Sequence, residues 1–277
     1  MTGVPQRAEL TVVTVTRNRP ELIPQVIETV RAQDYPHAIE HLVVVDEDEE
    51  RYREVAESSA TSSGAFAAPR TVRWHFARRR PGDRSGPPVL GRLRNEAVRT
   101  AGTPLVAFLD DDNTLEKHHY SSLLRCMRQT GCTAVHSQRR LFDAVGRPYV
   151  TQLSPWKRDI PAAAARYAEL RRHCVYVPWS NVIRDQVHGR DVPDRIQMVD
   201  TSEWLFTRDQ AMATPFGEVF SQEDWRKVIG EDNKLLAGIV DGDVPVASSH
   251  MPTLHYVLGG LSNGFNDPAA ANTWQAS

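Results

Sequence analysis

The chain has 277 residues, of which 40% are hydrophobic and 25% are charged, and its formal net charge is −2 at pH 7. These proportions are ordinary for a globular protein, so we expect a well-formed core. The near balance of acidic and basic residues excludes any global electrostatic argument for nucleic acid or an anionic membrane as a partner.

The cysteines and the hydrophobic runs indicate the compartment. Cys126, Cys132 and Cys174 are an odd number without the spacing of metal ligands, so we expect free thiols in a reducing environment. The N-terminal residues MTGVPQRAEL lack the apolar stretch of a signal peptide, and no segment approaches the roughly 18 apolar residues of a membrane span. We therefore expect a soluble, cytoplasmic protein.

Strands and helices are predicted to alternate in the first part of the chain. Apolar runs rich in β-branched residues predict four buried strands, at 9–17, 41–46, 71–76 and 104–109. Apolar residues at helical spacing predict one helix that begins at Pro20 and another that ends at Gly102. Segments 55–70 and 78–91 are predicted as loops. Nearly all-apolar strands separated by helices predict a parallel sheet covered on both faces.

The pattern becomes less regular from about residue 116. Helices are predicted at 116–129, 162–172 and 233–240, and strands at 133–137 and 204–207. We expect one domain over residues 1–277, with an α/β half up to about residue 115 and a mixed half after it.

Polar clusters follow three of the predicted strands, at the edge where ligands bind to parallel sheets. They are Thr16, Arg17, Asn18 and Arg19; Asp46, Glu47 and Asp48; and Asp110, Asp111 and Asp112. Three consecutive carboxylates after a buried strand repel one another and lose hydration unless a cation offsets the cost. Mg²⁺ or Mn²⁺ suits such oxygen ligands together with substrate phosphates. The last cluster therefore predicts a metal–diphosphate site, and its alternative is a solvated acidic turn.

These segments resemble the GT-A glycosyltransferases, and the inverting glycosyltransferase family 2 in particular. The resemblance covers about residues 9–120 and, more loosely, 200–258. It is carried by TVVTVTRNRPELIPQVIETVRAQDYP, HLVVVDEDEE, GRLRNEAVRTAGTPLVAFLDDDN and GEDNKLL. It implies a GT-A fold whose first half binds a nucleotide sugar and whose second half binds the acceptor. It also implies a Mn²⁺ or Mg²⁺ cofactor, a UDP-sugar donor with GDP and dTDP as alternatives, and a small molecule or glycan as acceptor.

The resemblance also assigns the donor site. It implies that the ends of the first two strands hold the nucleoside, and the matching residues are Thr16, Arg17, Asp46 and Glu47, with Arg19 in the same cluster. The family usually carries two adjacent Asp after the second strand, and Glu47 departs from that pattern by one methylene.

The DxD-type motif of the family maps onto the acidic triplet. Asp112 is the implied direct metal ligand, with Asp110 and Asp111 near the metal, its water or the ribose. Arg94 and Asn95 match the Arg-Asn pair of the family, from which a cation would face the diphosphate. An ordinary exposed helix position is the alternative for Arg94.

An acceptor hydroxyl that attacks the sugar must lose its proton to a base, commonly a carboxylate. The family places this base in a Glu-Asp pair at a helix start, and GEDNKLL matches that context. We expect Asp232 to be the base and Glu231 to be the second candidate, with residues 223–224 as a further Glu-Asp pair. Electrostatic stabilisation of a helix N-terminus is the alternative.

Features near the C-terminus are weaker signals. A late His completes the metal shell in many GT-A enzymes, and His255 is the matching residue, with His250 as its competitor. A structural, hydrogen-bonded His is the alternative. The glycines of this segment suggest a tail that orders over the donor; they are Gly259, Gly260 and Gly264. Three tryptophans are candidates for stacking on sugars or for the core; they are Trp156, Trp179 and Trp204.

Three other functions compete with inverting transfer. A retaining transferase would need no protein base. A sugar-phosphate nucleotidylyltransferase would carry a glycine-rich loop after the first strand, where this chain has TRNRP. A non-catalytic nucleotide-sugar binder would keep the binding residues alone.

Overall fold

A computed structural model of the chain describes residues 8–47, 49–60, 68–80, 83, 86–157, 159–192 and 196–259. Asp48, Gly260 and Gly264, which the sequence analysis named, lie outside these residues. In the described part of the chain, no helix combines the length and the apolar character needed to cross a bilayer.

The strands and helices are numbered in chain order. The strands are β1 Leu10–Thr16, β2 Ile39–Asp46, β3 Arg70–Ala77, β4 Leu105–Phe108, β5 Thr114–Leu115, β6 Ala134–Phe142, β7 Val182–Ile183, β8 Trp204–Thr207 and β9 Val246–Val257. The helices are α1 Ile23–Arg31, α2 Glu49–Ala60, α3 Pro87–Thr100, α4 His119–Thr130, α5 Ile160–Arg172, α6 Arg208–Ala213, α7 Gln222–Arg226 and α8 Glu231–Asp241.

The first half of the sheet is parallel, which confirms the prediction. Strands β3, β2, β1 and β4 lie side by side in that order and run in the same direction. Every residue of β1 is buried, because helices cover both faces of the sheet. The register pairs Thr16 with Val45 and Val13 with Phe108, so the carboxyl ends of β1, β2 and β4 meet at one edge.

The second half of the sheet is mixed. Strand β8 is antiparallel to β4 and to β6, whereas β9 is parallel to β6 and antiparallel to β5. The 12-residue strand β9 was not predicted from the sequence, because its segment VASSHMPTLHYV contains a proline and several small polar residues. Its pairing with β5 brings the C-terminal half of the chain against the end of the acidic triplet.

Two helices replace parts of the predicted loops. Helix α2 extends into the segment 55–70, and its Tyr52 is fully buried in a cluster with Ile23 and Val43. Helix α3 begins at Pro87, inside the predicted loop 78–91, because a proline is favoured in the first turn of a helix. Helix α2 was not predicted because residues 55–60 are mostly small. The start of α3 was not predicted because glycines and prolines surround it.

Helix α3 lies unusually close to the loop between α6 and α7. A methyl group on Gly91 would overlap the carbonyl oxygen of Gly217 and lie 3.3 Å from the Cβ of Glu231. We expect Gly91→Ala to lower the free energy of unfolding by about 1–3 kcal/mol, because the backbone must move apart. Gly102→Ala, which meets no atom within 4 Å, should change it by less than about 0.5 kcal/mol. Urea denaturation measures both, and equal effects would contradict the close packing.

Candidate active site

The acidic triplet follows β4 as a tight turn, in which the three carboxylates have different surroundings. The side chain of Asp111 is 1% exposed, and it accepts a hydrogen bond of 2.7 Å from Thr16 Oγ1 and pairs with Arg19 at 2.5 Å. Arg19 also donates to Asp112 Oδ2 at 3.0 Å. The side chains of Asp110 and Asp112 remain 30% and 24% exposed. Asp111 is therefore directed inward, while its two neighbours have oxygens that reach solvent.

This turn concentrates negative charge in a poorly hydrated place. Burial raises the pKa of Asp111 to about 7, and Asp112 adds to the rise although Arg19 opposes it. Burial and the charge of Asp110 likewise raise the pKa of Asp112. The cluster therefore favours any added positive charge.

The end of β1 is held from α2. Tyr52 OH lies 2.9 Å from Thr16 Oγ1 and accepts the N–H of Arg19 at 2.9 Å. Tyr52 was missed in the sequence analysis, and the only signal for it was the amphipathic pattern of a helix that small residues obscured.

The carboxylates after β2 are paired with arginines. Arg79 donates to Asp46 at 3.1 Å and pairs with Glu47 at 2.9 Å. Arg17 lies 3.8 Å from Asp46 and 3.9 Å from Glu47. The structure thus brings Asp46 and Glu47 together with Arg17, and it adds Arg79, which lies in a segment that was predicted only as a loop.

Arg94 connects the acidic turn to the start of α8. Its side chain is 7% exposed, and it donates to Asp110 Oδ1 at 2.6 Å and to Glu231 Oε1. Burial disfavours its charge, but the carboxylates of Asp110 and Glu231 outweigh burial and raise the pKa of Arg94. The guanidinium also lies over the Phe216 ring, 5.2 Å from its centroid. Arg94 is therefore a buried bridge between two carboxylates, and not an exposed helix residue.

Asn95, the partner of Arg94 in the sequence motif, holds the loop between α6 and α7. Its side-chain amide donates to Phe216 O at 3.0 Å and to Glu218 Oε1 at 2.8 Å, and its Oδ1 accepts the N–H of Phe216 at 2.9 Å. These bonds anchor a loop whose Gly217 N–H lies 3.4 Å from the backbone oxygen of Glu231.

Glu231 and Asp232 begin α8 with different surroundings. Glu231 is buried against Arg94, and burial raises its pKa to about 7, with Asp232 adding to the rise. Asp232 is partly exposed, and its Oδ1 accepts the N–H of Asn233 at 2.8 Å. Burial first, and the charge of Asp110 in addition, raise the pKa of Asp232. A side chain at Gly230 would overlap the Asp232 carboxylate, so the glycine makes room for it.

The second Glu-Asp pair has a local structural role. Asp224 accepts the N–H of Ser221 at 2.7 Å as part of the capping box of α7, and it pairs with Lys234 at 3.0 Å. Glu223 pairs with Arg226 and Lys227. These contacts explain the pair without a catalytic role.

The described residues contain no group of three His, Cys, Asp or Glu side chains close enough to hold a metal. His255 lies on β9 opposite Thr114, and its Nε2 is 3.0 Å from Glu116 Oε1. Its competitor His250 is exposed, and its backbone N–H binds Ser248. The ligand role of His255 remains a prediction.

The three tryptophans differ in their burial and contacts. Trp204 is 1% exposed in the core, so a sugar cannot stack on its ring. Trp156 packs over Arg139, with the guanidinium 5.0 Å from the ring centroid. Trp179 is 78% exposed.

Comparison with known proteins identifies the family. The model of the family described as "Glycosyl transferase family 2" matches residues 11–189. The chain belongs to glycosyl transferase family 2. No curated protein sequence matches the chain.

Solved GT-A glycosyltransferases share the fold of this family 2 chain. S. aureus TarS 1-349 in complex with UDP-GlcNAc gives a TM-score of 0.56 at 13% identity, over 94% of this chain and 61% of that one. The Pyrobaculum calidifontis mannosyltransferase PcManGT, in complex with GDP-Man and Mn²⁺, gives 0.53 at 14% identity, over 92% and 59%. The predicted GT-A fold is confirmed, and the chain spans about three-fifths of the length of these proteins.

The donor set at the acidic turn of the family 2 chain suits a divalent cation. Asp110 and Asp112 offer partly exposed carboxylate oxygens, the ligand type that Mg²⁺ and Mn²⁺ prefer. Arg19 and Arg94 pair with the carboxylates of the turn, yet the pKa values of Asp111 and of the nearby Glu231 remain raised. A cation that shares Asp110 and Asp112 with phosphate oxygens would therefore fit.

The raised pKa values predict how stability depends on pH. Asp111 and Glu231, with pKa values of about 7, bind protons in the folded chain that the unfolded chain releases near pH 4. Their stabilisation is complete below the unfolded pKa and is lost as the pH rises through about 7. In metal-free buffer we expect a lower melting temperature at pH 8 than at pH 6, and a smaller difference for Asp111→Asn. The exposed Asp191→Asn is the control, and identical pH slopes for Asp111→Asn and wild type would contradict the account.

Proposed function

We propose that this chain transfers a sugar from a nucleotide diphosphate sugar to an acceptor hydroxyl, with inversion and with Mn²⁺ or Mg²⁺ as cofactor. The proposed donor is a UDP-sugar, bound by the half up to about residue 115, and the proposed acceptor is a small molecule or glycan, bound by the half after it. The observation that carries the proposal is the Arg94 bridge, which joins Asp110 of the acidic turn to Glu231, next to Asp232.

The donor side of the proposed site is defined by its charge. The exposed oxygens of Asp110 and Asp112 would hold the divalent cation, which would supply the charge that stabilises the leaving diphosphate. Arg19 holds Asp111 and Asp112 in place, and Thr16 fixes the other oxygen of Asp111. These contacts keep the turn rigid, so that little reorganisation accompanies the reaction.

The nucleoside would lie along the ends of β1 and β2, beside Arg17, Asp46 and Glu47. Two similar structures carry uridine nucleotides and one carries GDP-Man, as their descriptions state. We therefore propose UDP first and GDP as the alternative. Arg79 pairs with Glu47 and with Asp46. We propose that this Arg79–Asp46 pair, with the longer Glu47 beside it, contacts the ribose or the base.

The acceptor side of the proposed site contains the two carboxylates of α8. Glu231 is buried and its Oε1 is paired with Arg94, so an acceptor hydroxyl reaches it less easily than it reaches Asp232. Asp232 is partly exposed, and its raised pKa strengthens it as a general base. Asp232 therefore removes the proton of the attacking hydroxyl, and Glu231 and Arg94 hold it in position.

Thermal unfolding with a nucleotide tests the donor site. We expect UDP with Mn²⁺ at 100 times its dissociation constant to raise the melting temperature by roughly 5–10 °C. Asp112→Ala should abolish the Mn²⁺-dependent part, because it removes an exposed ligand, whereas Asp191→Ala at an exposed loop should keep it. No shift in the wild type with UDP, GDP or dTDP would remove the support for the proposed donor site.

Kinetics of Asp232→Asn test the base. We expect kcat for transfer to fall by about 10²–10⁴-fold with little change in nucleotide affinity, since general base catalysis contributes about that factor. The matched variant Asp224→Asn, on α7, should lower kcat less than about fivefold, because its contacts are a cap and a surface ion pair. An unchanged kcat for Asp232→Asn, or a product that keeps the donor's anomeric configuration, would contradict the inverting mechanism.

A further inference from the structure

The acidic turn rests on a buried 3₁₀ turn, Thr201–Glu203, which lies far away in the sequence. Ser202 is fully buried, and its Oγ accepts the backbone N–H of Asp110 at 3.0 Å and the side-chain amide of Asn113 at 3.4 Å. Asn113 Oδ1 in turn accepts the N–H of Val257, at the end of β9, at 3.1 Å. One hydroxyl thus contacts both ends of the acidic turn.

The 3₁₀ turn is itself fixed by a capping box. Asp200 Oδ1 accepts the N–H of Ser202 at 2.9 Å, and the N–H of Asp200 donates to Glu203 Oε1 at 3.0 Å. Both residues also contact Arg139, which lies 3.1 Å from Asp200 Oδ2 and 3.7 Å from Glu203 Oε1. The orientation of Ser202 is therefore determined by groups on both sides of it.

Arg139 is the centre of this support. It is 4% exposed, it donates to Asp185 at 2.9 Å, and its guanidinium lies 5.0 and 5.1 Å from the ring centroids of Trp156 and Tyr256. Burial, and after it the charge of Asp185, raise the pKa of Glu203 well above its usual range. Arg139 faces three carboxylates in this buried cluster, so displacing any member would leave a buried charge poorly compensated.

We propose that Ser202, supported by Asp200, Glu203 and Arg139, is a positioning residue that sets the backbone of Asp110–Asn113 and hence the geometry of the carboxylates that hold the cation and diphosphate. The inference rests on the proposed function. Groups that orient the ligands of a metal typically contribute about 10–100-fold to metal affinity or activity. Ser202 touches no predicted ligand side chain, so it acts through the backbone of Asp110.

The test compares Ser202→Ala with Ser122→Ala in the full chain. Ser122 is a buried serine of α4 whose hydroxyl binds within its own helix, so it controls for the loss of a buried hydroxyl. Hydrogen exchange of the Asp110 amide is measured without ligand, and UDP binding is measured by calorimetry with and without Mn²⁺. Ser202→Thr, which keeps the hydroxyl, is the rescue variant, and Ser202→Cys replaces Ser202→Ala if that variant does not fold.

We expect Ser202→Ala to speed exchange of the Asp110 amide by about tenfold, since that donor loses its buried partner. It should weaken Mn²⁺-dependent UDP binding by about 10–100-fold and leave metal-free binding unchanged, while Ser122→Ala changes neither and Ser202→Thr restores both. Faster exchange with unchanged UDP binding would overturn the positioning role and leave the proposed function intact. A wild type that binds no UDP with Mn²⁺ would instead overturn the proposed function.

Discussion

The buried guanidinium of Arg94 is the contact on which the arrangement of the site depends. It joins Asp110, at the carboxyl end of a sheet strand, to Glu231, at the start of α8 and 137 residues after Arg94 in the sequence. Removing it would leave two carboxylates in a poorly hydrated space, where an unpaired charge is strongly unfavourable. The bridge therefore holds the acidic turn against the start of α8.

The packing around this bridge fixes the positions of the carboxylates of the acidic turn and of α8 relative to one another. Gly91 lets α3 approach the loop between α6 and α7, and Asn95 holds that loop by three hydrogen bonds. Ser202 holds the backbone of Asp110. Helices and buried turns fix these groups better than exposed loops would, which suits the proposed binding of a cation and a diphosphate at defined positions.

The sequence analysis predicted the parts of the fold that depend on local pattern. Continuous apolar runs gave the parallel strands, because strands buried on both faces carry no alternation. Strand β9 was missed because its pairing with β6 and β5, and not its composition, makes it a strand. Within the site, motif position predicted Asp110, Asp111 and Arg94. Local spacing does not encode the tertiary contacts, which pair Arg94 with Glu231, Arg79 with Asp46, and His255 with Glu116.

Asp110 and Asp112 are proposed to hold a divalent cation against the diphosphate of a donor, opposite Asp232. A crystal structure with UDP and Mn²⁺, with anomalous scattering recorded at the manganese edge, tests this arrangement. We expect one strong anomalous peak that touches carboxylate oxygens of the acidic turn and the diphosphate, with the acceptor side open toward Asp232. A diphosphate bound away from the turn, or manganese bound without Asp110 or Asp112, would contradict it.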